Sequence, residues 1–291
     1  MRLAFLGTPE AAVPSLRALV NAGHDVALVI TRPDRKRGRG GHLSPSPVKA
    51  CAHELGLTVS HRLGDLEDLD VERGVVVAYG RLIPSDVLQR IPMLNVHFSL
   101  LPRWRGAAPV ERAILAGDAE TGVSIMTLEA DLDTGPVHLE RRVTVADKAL
   151  AALLEELAIV GAESLIDVLG SPELLARPRA QAGEVTYATK LSKEDFRLTS
   201  SIPAEQLLRI IRLGQAFTAI GGRRLRVESA VAYEGDAAAA GSVSIRDGHV
   251  VLGTIDGAIA LESVRPEGGK SMSGAAWWTG TWRDQTVAQW A

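Results

Sequence analysis

Three polar residues in this chain of 291 residues have the types and spacing to do chemistry. Asn95 and His97 lie in the run N-V-H-F-S-L-L-P-R-W-R-G-A-A-P, and Asp133 lies in D-L-D-T-G. On a strand, positions i and i+2 face the same side, so Asn95 and His97 reach one point. A neutral amide donates to a developing oxyanion without adding charge, and an imidazole exchanges a proton near neutral pH. A carboxylate that reaches His97 orients it and stabilises its charged form. None of the three is a strong nucleophile, and no metal-ligand cluster accompanies them. The set therefore suits carbonyl polarisation and proton movement during acyl transfer, with no metal. The same residues admit plainer roles: a buried Asn–His pair satisfying backbone groups, and a turn in which Asp133 caps Gly135.

Ser99, Leu100, Leu101 and Pro102 follow directly; apolar side chains on a proline-stiffened backbone suit either a rigid wall for a flat ring or a plain strand exit. Arg103, Trp104 and Arg105 read as an anion or base contact, or as solvated side chains. A second constellation is T-R-P-D-R-K-R-G-R-G-G-H, in which Arg32, Arg35, Lys36, Arg37 and Arg39 fall within eight positions beside one acid, Asp34. A flexible basic, glycine-rich loop after a strand is a candidate contact for a phosphate backbone; its plain alternative is a solvated loop. It also argues against a dinucleotide site, which wants G-x-G-x-x-G after strand one and an acid after strand two. The acidic cluster from Asp65 to Glu72 reads as solvated, Cys51 as a small packing residue, and Trp277, Trp278, Trp282 and Trp290 as packing for the tail.

The elements that must hold these residues follow from the apolar pattern. Leu3–Leu6, Val26–Ile30, Leu57–Val59, Val75–Ala78 and Leu94–Phe98 are short buried runs. They alternate with helices over Ala11–Ala22, Val48–Leu55 and a segment after Pro84, which implies a mostly parallel sheet covered on both faces. A helix over Pro109–Leu115, strands over Gly122–Leu128 and Val137–Val145, and a helix over Ala149–Leu169 complete this part. The pattern loosens around Ser171–Thr189, expected as the exit from the first domain. After a helix over Pro203–Leu213, the runs Arg223–Tyr233, Ser242–Arg246, His249–Gly253 and Ala258–Val264 are split by Gly-Asp and Asp-Gly turns, the texture of a small antiparallel barrel. The expected fold class is α/β: a Rossmann-like, mostly parallel sheet with helices on both faces, then a small OB-like β-barrel. The expected division is 1–184, a linker at 185–204, and 205–291.

The bulk numbers bound the class. With 46% hydrophobic residues the chain can bury a large core. A formal net charge of −3 means that a polyanion site must come from local clustering. One cysteine allows no internal disulfide, the N-terminal apolar run is too short for a signal peptide, and no apolar run nears the roughly 20 residues of a membrane span. A cytoplasmic, soluble protein without membrane contact is expected.

Taken together, several motifs resemble the methionyl-tRNA formyltransferases within the wider folate-dependent formyltransferase family. They are G-T-P after strand one, the R-G-R-G loop with S-P-S-P-V-K, V-V-A-Y-G at Val76–Gly80, the Asn95–Pro109 run, A-G-D-A-E-T-G-V-S-I-M, L-D-T-G, and T-Y-A-T-K-L-S-K-E at Thr186–Glu194. The resemblance covers most of the first domain and the linker; the tail agrees in layout more than in letters. It implies transfer of a formyl group from 10-formyltetrahydrofolate to the α-amino group of methionyl initiator tRNA, leaving tetrahydrofolate. It implies Asn95, His97 and Asp133 as the catalytic set, Ser99, Leu100, Leu101 and Pro102 as the folate lining, and Arg35, Lys36, Arg37 and Arg39 as tRNA contacts. The barrel would grip the tRNA body, and a monomer is expected. Two departures stand out. Phe98 occupies a position where many relatives carry glycine, and I-R-L-G-Q-A-F-T-A-I lacks the Asn-Pro-Trp-Pro-like run expected after I-R. The alternatives are a formyltransferase for a small amine (a purine precursor or nucleotide sugar), a formyltetrahydrofolate hydrolase, and a non-catalytic RNA-binding protein.

Overall fold

The computed structural model describes residues 1–37, 41–236, 238–282 and 288–290. Arg39 lies outside the described residues, as does the side chain of Arg37. The chain forms two compact units: Met1–Val110, Ala119–Val145 and Leu153–Lys190 make one, and Glu111–Asp118, Ala146–Ala152 and Leu191–Ala291 the other. Among the described residues no helix is long and apolar enough to cross a membrane.

In chain order come β1 (Arg2–Gly7), α1 (Val13–Asn21), β2 (Asp25–Ile30), β3 (Arg35–Arg37), β4 (His42–Ser44), α2 (Pro47–Glu54), β5 (Val59–Ser60), β6 (Arg73–Val77), α3 (Ser85–Arg90) and β7 (Met93–His97). Then follow β8 (Arg105–Gly106), α4 (Pro109–Ala116), β9 (Glu120–Thr127), β10 (Val137–Thr144), α5 (Leu150–Gly170), α6 (Pro172–Ala176) and β11 (Tyr187–Ala188). The main sheet has the order β10-β9-β7-β6-β1-β2-β5. β7, β6, β1, β2 and β5 run parallel; β9 and β10 join antiparallel at the β7 edge. Leu3 to Leu6 are all buried, as a strand covered on both faces requires. Ala4, Leu6, Leu28, Ile30 and Val76 share a cluster with Val87 of α3, while Leu3, Phe5 and Val29 alternate with them and bury the opposite face. α5 lies close on β7: a Cβ on Gly161 would sit 2.8 Å from Val96 Cγ1.

Local chemistry sets the boundaries. α2 starts at Ser46, whose Oγ accepts from Lys49 N at 3.0 Å, with Pro47 in the first turn. The helix expected from Ala11 begins instead as a 3₁₀ turn at Glu10–Ala12 and becomes α-helical at Val13. Pro14 explains the shift: without an N–H it is tolerated only in the first α-helical turn. The basic loop also differs from expectation. Arg35–Arg37 pairs with His42–Ser44 as a short hairpin, with Gly41 in the left-handed region at φ 63°. Charge and glycine content signalled a loop but carried no sign of the pairing.

The second unit holds α7 (Ala204–Arg212), β12 (Phe217–Ile220), β13 (Arg223–Ala232), β14 (Ser242–Arg246), β15 (His249–Gly253), β16 (Ala258–Pro266), β17 (Met272–Ser273), α8 (Gly274–Trp282) and β18 (Ala288–Gln289). Its antiparallel sheet runs β12-β13-β16-β15-β14-β18, with β17 on β16. A bridge between Ile220 and Trp290 links the two ends of that path, curling the sheet onto itself. Leu225, Val227, Val243, Val250, Leu252 and Ile259 fill the interior, together with Trp277, Trp278 and Trp290. Sequence reading missed β12 and α8. β12 is four residues long and turns into β13 through Gly221-Gly222, both with positive φ. α8 is rich in Gly, Thr and Trp, poor helix formers, and is started by Ser273, whose Oγ accepts from Ala276 N at 3.2 Å.

Candidate active site

Asn95 and His97 sit on β7 and are both buried, at 9% and 5% exposure. β7 lies between β6 and β9, with Asn95 opposite Val76 on one side and Met126 on the other. The strand cannot slip without exposing its apolar residues, so both polar side chains are fixed on one face. Asp133 comes from the loop between β9 and β10 and is 8% exposed. All three line one cavity of about 490 Å³ in the first unit.

Each side chain is held differently. His97 Nε2 lies 2.9 Å from the carbonyl of Trp104. A carbonyl only accepts, so Nε2 carries a proton and donates it there. Nδ1 then faces Asp133 Oδ2 across 3.7 Å, beyond a direct hydrogen bond. The same Oδ2 accepts from Gly106 N at 2.8 Å. Asp133 adopts φ 51°, a left-handed conformation costing on the order of 1–2 kcal/mol for a residue with a Cβ. Such strain persists only where surroundings over-determine it. Among the described residues the Asn95 side chain has no hydrogen-bonding partner, which leaves its amide available to a ligand.

Most of the remaining cavity lining comes from two segments that sequence reading did not single out for that role. Ala78 to Ile83, after β6, form one wall and Leu128 to Asp133 the other. Leu82 and Leu132 are large apolar residues left 83% and 53% exposed there. Positive φ at Ala78 and Gly80 turns the first wall across the sheet edge. The available signal was the V-V-A-Y-G strand end, since ligands in open α/β sheets bind beyond the carboxyl ends of strands.

Ser99, Leu100, Leu101 and Pro102 occupy the turn after β7 and are not among the cavity-lining residues. Ser99 Oγ donates to Arg103 O at 2.6 Å, Leu100 packs at Gly122, Leu101 clusters with Met126 and Val137, and Pro102 O accepts from Thr186 N at 3.3 Å. This turn presents the Trp104 carbonyl to His97. Phe98 lines the cavity with its ring edge beside Gly161. Arg103 lies over the Trp104 ring at 4.5 Å, while Arg105 turns to Gln181.

Arg35 and Lys36 are exposed on the β3–β4 hairpin. The one acid of this basic stretch is taken up: Asp34 accepts from Lys49 Nζ at 2.7 Å, and that bond holds its carboxyl below the ordinary range. The hairpin is thus left with a cationic surface.

Two models of the formyl transferase family match the chain: the formyl transferase domain over residues 1–169, and its C-terminal domain over residues 190–281. A methionyl-tRNA formyltransferase from Chromobacterium violaceum is 42% identical over 290 residues, covering 94% of this chain and 94% of its own. Among solved structures, the methionyl-tRNA formyltransferase from Clostridium thermocellum superposes with a TM-score of 0.56 at 17% identity, over 81% of this chain and 95% of that one. HypX from Aquifex aeolicus, solved with tetrahydrofolic acid, superposes with a TM-score of 0.67 at 18% identity; 98% of this chain spans 48% of that longer protein.

Proposed function

The chain belongs to the formyl transferase family, and we propose that it transfers the formyl group of 10-formyltetrahydrofolate to the α-amino group of methionyl initiator tRNA. The observation that carries this reading is the convergence of Asn95, His97 and Asp133 on one cavity. The cavity fits the donor. Its apolar walls suit the flat pteridine of a folate, with backbone groups of the Ala78–Ile83 and Leu128–Asp133 segments at its edges.

The free amine attacks the formyl carbon. As the carbonyl oxygen gains negative charge, the uncommitted Asn95 amide donates to it. The bond from that carbon to the folate nitrogen then breaks, and this nitrogen takes up a proton. His97, with Nε2 committed to Trp104, exchanges protons through Nδ1, the edge that faces Asp133. The free Nδ1 lone pair takes the proton of the attacking amine, the Asp133 carboxylate 3.7 Å away stabilises the imidazolium so formed, and Nδ1 then gives that proton to the departing folate nitrogen. The basic hairpin contacts the acceptor end of the tRNA and the second unit contacts its body; the cationic surface of Arg35 and Lys36 supports the first assignment.

The test is formyl transfer from 10-formyltetrahydrofolate to methionyl initiator tRNA, against methionyl elongator tRNA and small amines. Preference for the initiator species is expected. Equal or faster formylation of a small amine, or formate release without transfer, contradicts the assignment of the acceptor.

A further inference from the structure

We propose that Gln181 is a positioning residue for the Asp133 carboxylate, itself held in place by Arg105. The inference rests on the reading of Asp133 as part of the reacting set.

Gln181 Nε2 donates to two carbonyls of the Asp133 loop, Asp133 O and Gly135 O, each at 2.8 Å. Its Oε1 accepts from Arg105 Nε at 3.0 Å and from Arg105 Nη2 at 2.6 Å. Two donor hydrogens and two acceptor lone pairs are the full capacity of a primary amide, so the group is saturated. Its orientation is fixed as well, because a guanidinium only donates and carbonyls only accept. One side chain therefore pins the backbone on both sides of Thr134, where Asp133 holds its disfavoured left-handed conformation. Gly135 passes so close to Thr127 O that it has no room for a Cβ.

Arg105 is no incidental partner. The next residue, Gly106, gives its N–H to Asp133 Oδ2, so backbone and carboxylate are held from the same two-residue strand β8. The segment carrying Gln181 is stitched to both sides of the site. Arg179 and Val137 exchange N–H···O bonds at 2.8 Å in each direction, Arg105 N donates to Thr186 O at 2.9 Å, and Trp104 N donates to Thr186 Oγ1 at 2.9 Å. Trp104 also supplies the carbonyl that holds His97. The 179–188 segment thus ties together the loop bearing Asp133 and the turn that holds His97, and Gln181 is its side-chain contact with the Asp133 backbone.

The test is a mutant cycle read in steady-state formyl transfer, with thermal unfolding measured on every variant. Gln181→Ala is expected to lower kcat about tenfold or more while both KM values stay within about twofold, because geometry at the reacting centre is lost and binding is not. Gln181→Glu, which keeps an acceptor for Arg105 but loses the donor hydrogens, is expected to match Gln181→Ala. In an Asp133→Asn background the Gln181→Ala change is expected to cost less than about twofold, since a residue acting through Asp133 has nothing left to position. A merely structural role predicts losses that multiply in the double variant, and that result overturns the proposal, as does unchanged kcat in Gln181→Ala beside a slow Asp133→Asn. Full activity in Asp133→Asn itself overturns the reading of Asp133, and this inference with it.

Discussion

Asn95, His97 and Asp133 differ in how far the fold commits them. His97 spends Nε2 on Trp104, Asp133 spends Oδ2 on Gly106, and the Asn95 amide keeps both hydrogens for a ligand. That difference fits a donor poised for charge that exists only in the transition state, beside a pair that moves a proton. The cavity walls make a separate prediction. Leu82 projects 83% exposed at the cavity, and burial of a leucine against a ring contributes about 1.5–3 kcal/mol when complete. Leu82→Ser is expected to raise KM for the formyl donor about tenfold with kcat within about twofold, as loss of uniform binding requires. Initial rates over a donor concentration series check this; a fall in kcat at unchanged KM would take Leu82 out of the donor site.

At the scale of elements, β7 and the loop after β9 do the positioning, and two neighbours report on them. A Cβ on Gly161 of α5 would sit 2.8 Å from Val96 Cγ1, so there is no space for one without a shift. Gly161→Ala gains about 1 kcal/mol of helix propensity but incurs an overpacking cost of about 1–3 kcal/mol. A lower denaturant midpoint at unchanged m-value is expected, and a raised midpoint contradicts the close approach of α5 to β7. His138 on β10 is buried, donating from Nδ1 to Leu174 O and accepting at Nε2 from the Thr127 hydroxyl, both at 2.8 Å. Burial lowers its pKa below the ordinary 6.5. The unfolded chain therefore takes up a proton at higher pH than the folded chain, so stability is full above about pH 6.5 and falls as pH drops through that value. Thermal unfolding from about pH 7.5 to 5.5 is expected to fall more steeply for the native chain than for His138→Gln. Parallel slopes remove His138 as the cause.

The parallel strands were legible because burial on both faces leaves unbroken apolar runs, and Asn95 and His97 because a period of two puts them on one face. The wall at Ala78–Ile83 was legible only as the V-V-A-Y-G strand end, since its course beyond comes from left-handed backbone at Ala78 and Gly80 that no periodicity records. Gln181 was hidden in a stretch whose Pro and Gly residues read as a domain exit. Its partners are brought near only by pairing distant in sequence.

For the whole molecule, a net charge of −3 leaves nucleic-acid attraction to local patches. The β3–β4 hairpin is one such patch, its single acid neutralised by Lys49. Removing Arg35 and Lys36 together is expected to weaken use of tRNA and to flatten its salt dependence. The log–log slope should fall in magnitude by about 0.7–0.9 for each phosphate that is no longer neutralised. An unchanged slope across a salt series makes the hairpin a bystander. The claim on which the rest depends is that Asn95 serves the reacting carbonyl, and the direct measurement is the single-turnover rate of formyl transfer to methionyl initiator tRNA by Asn95→Ala. The account predicts a rate at least about a hundredfold below native, with native folding and donor binding. A rate within a few-fold of native in that folded variant would contradict it.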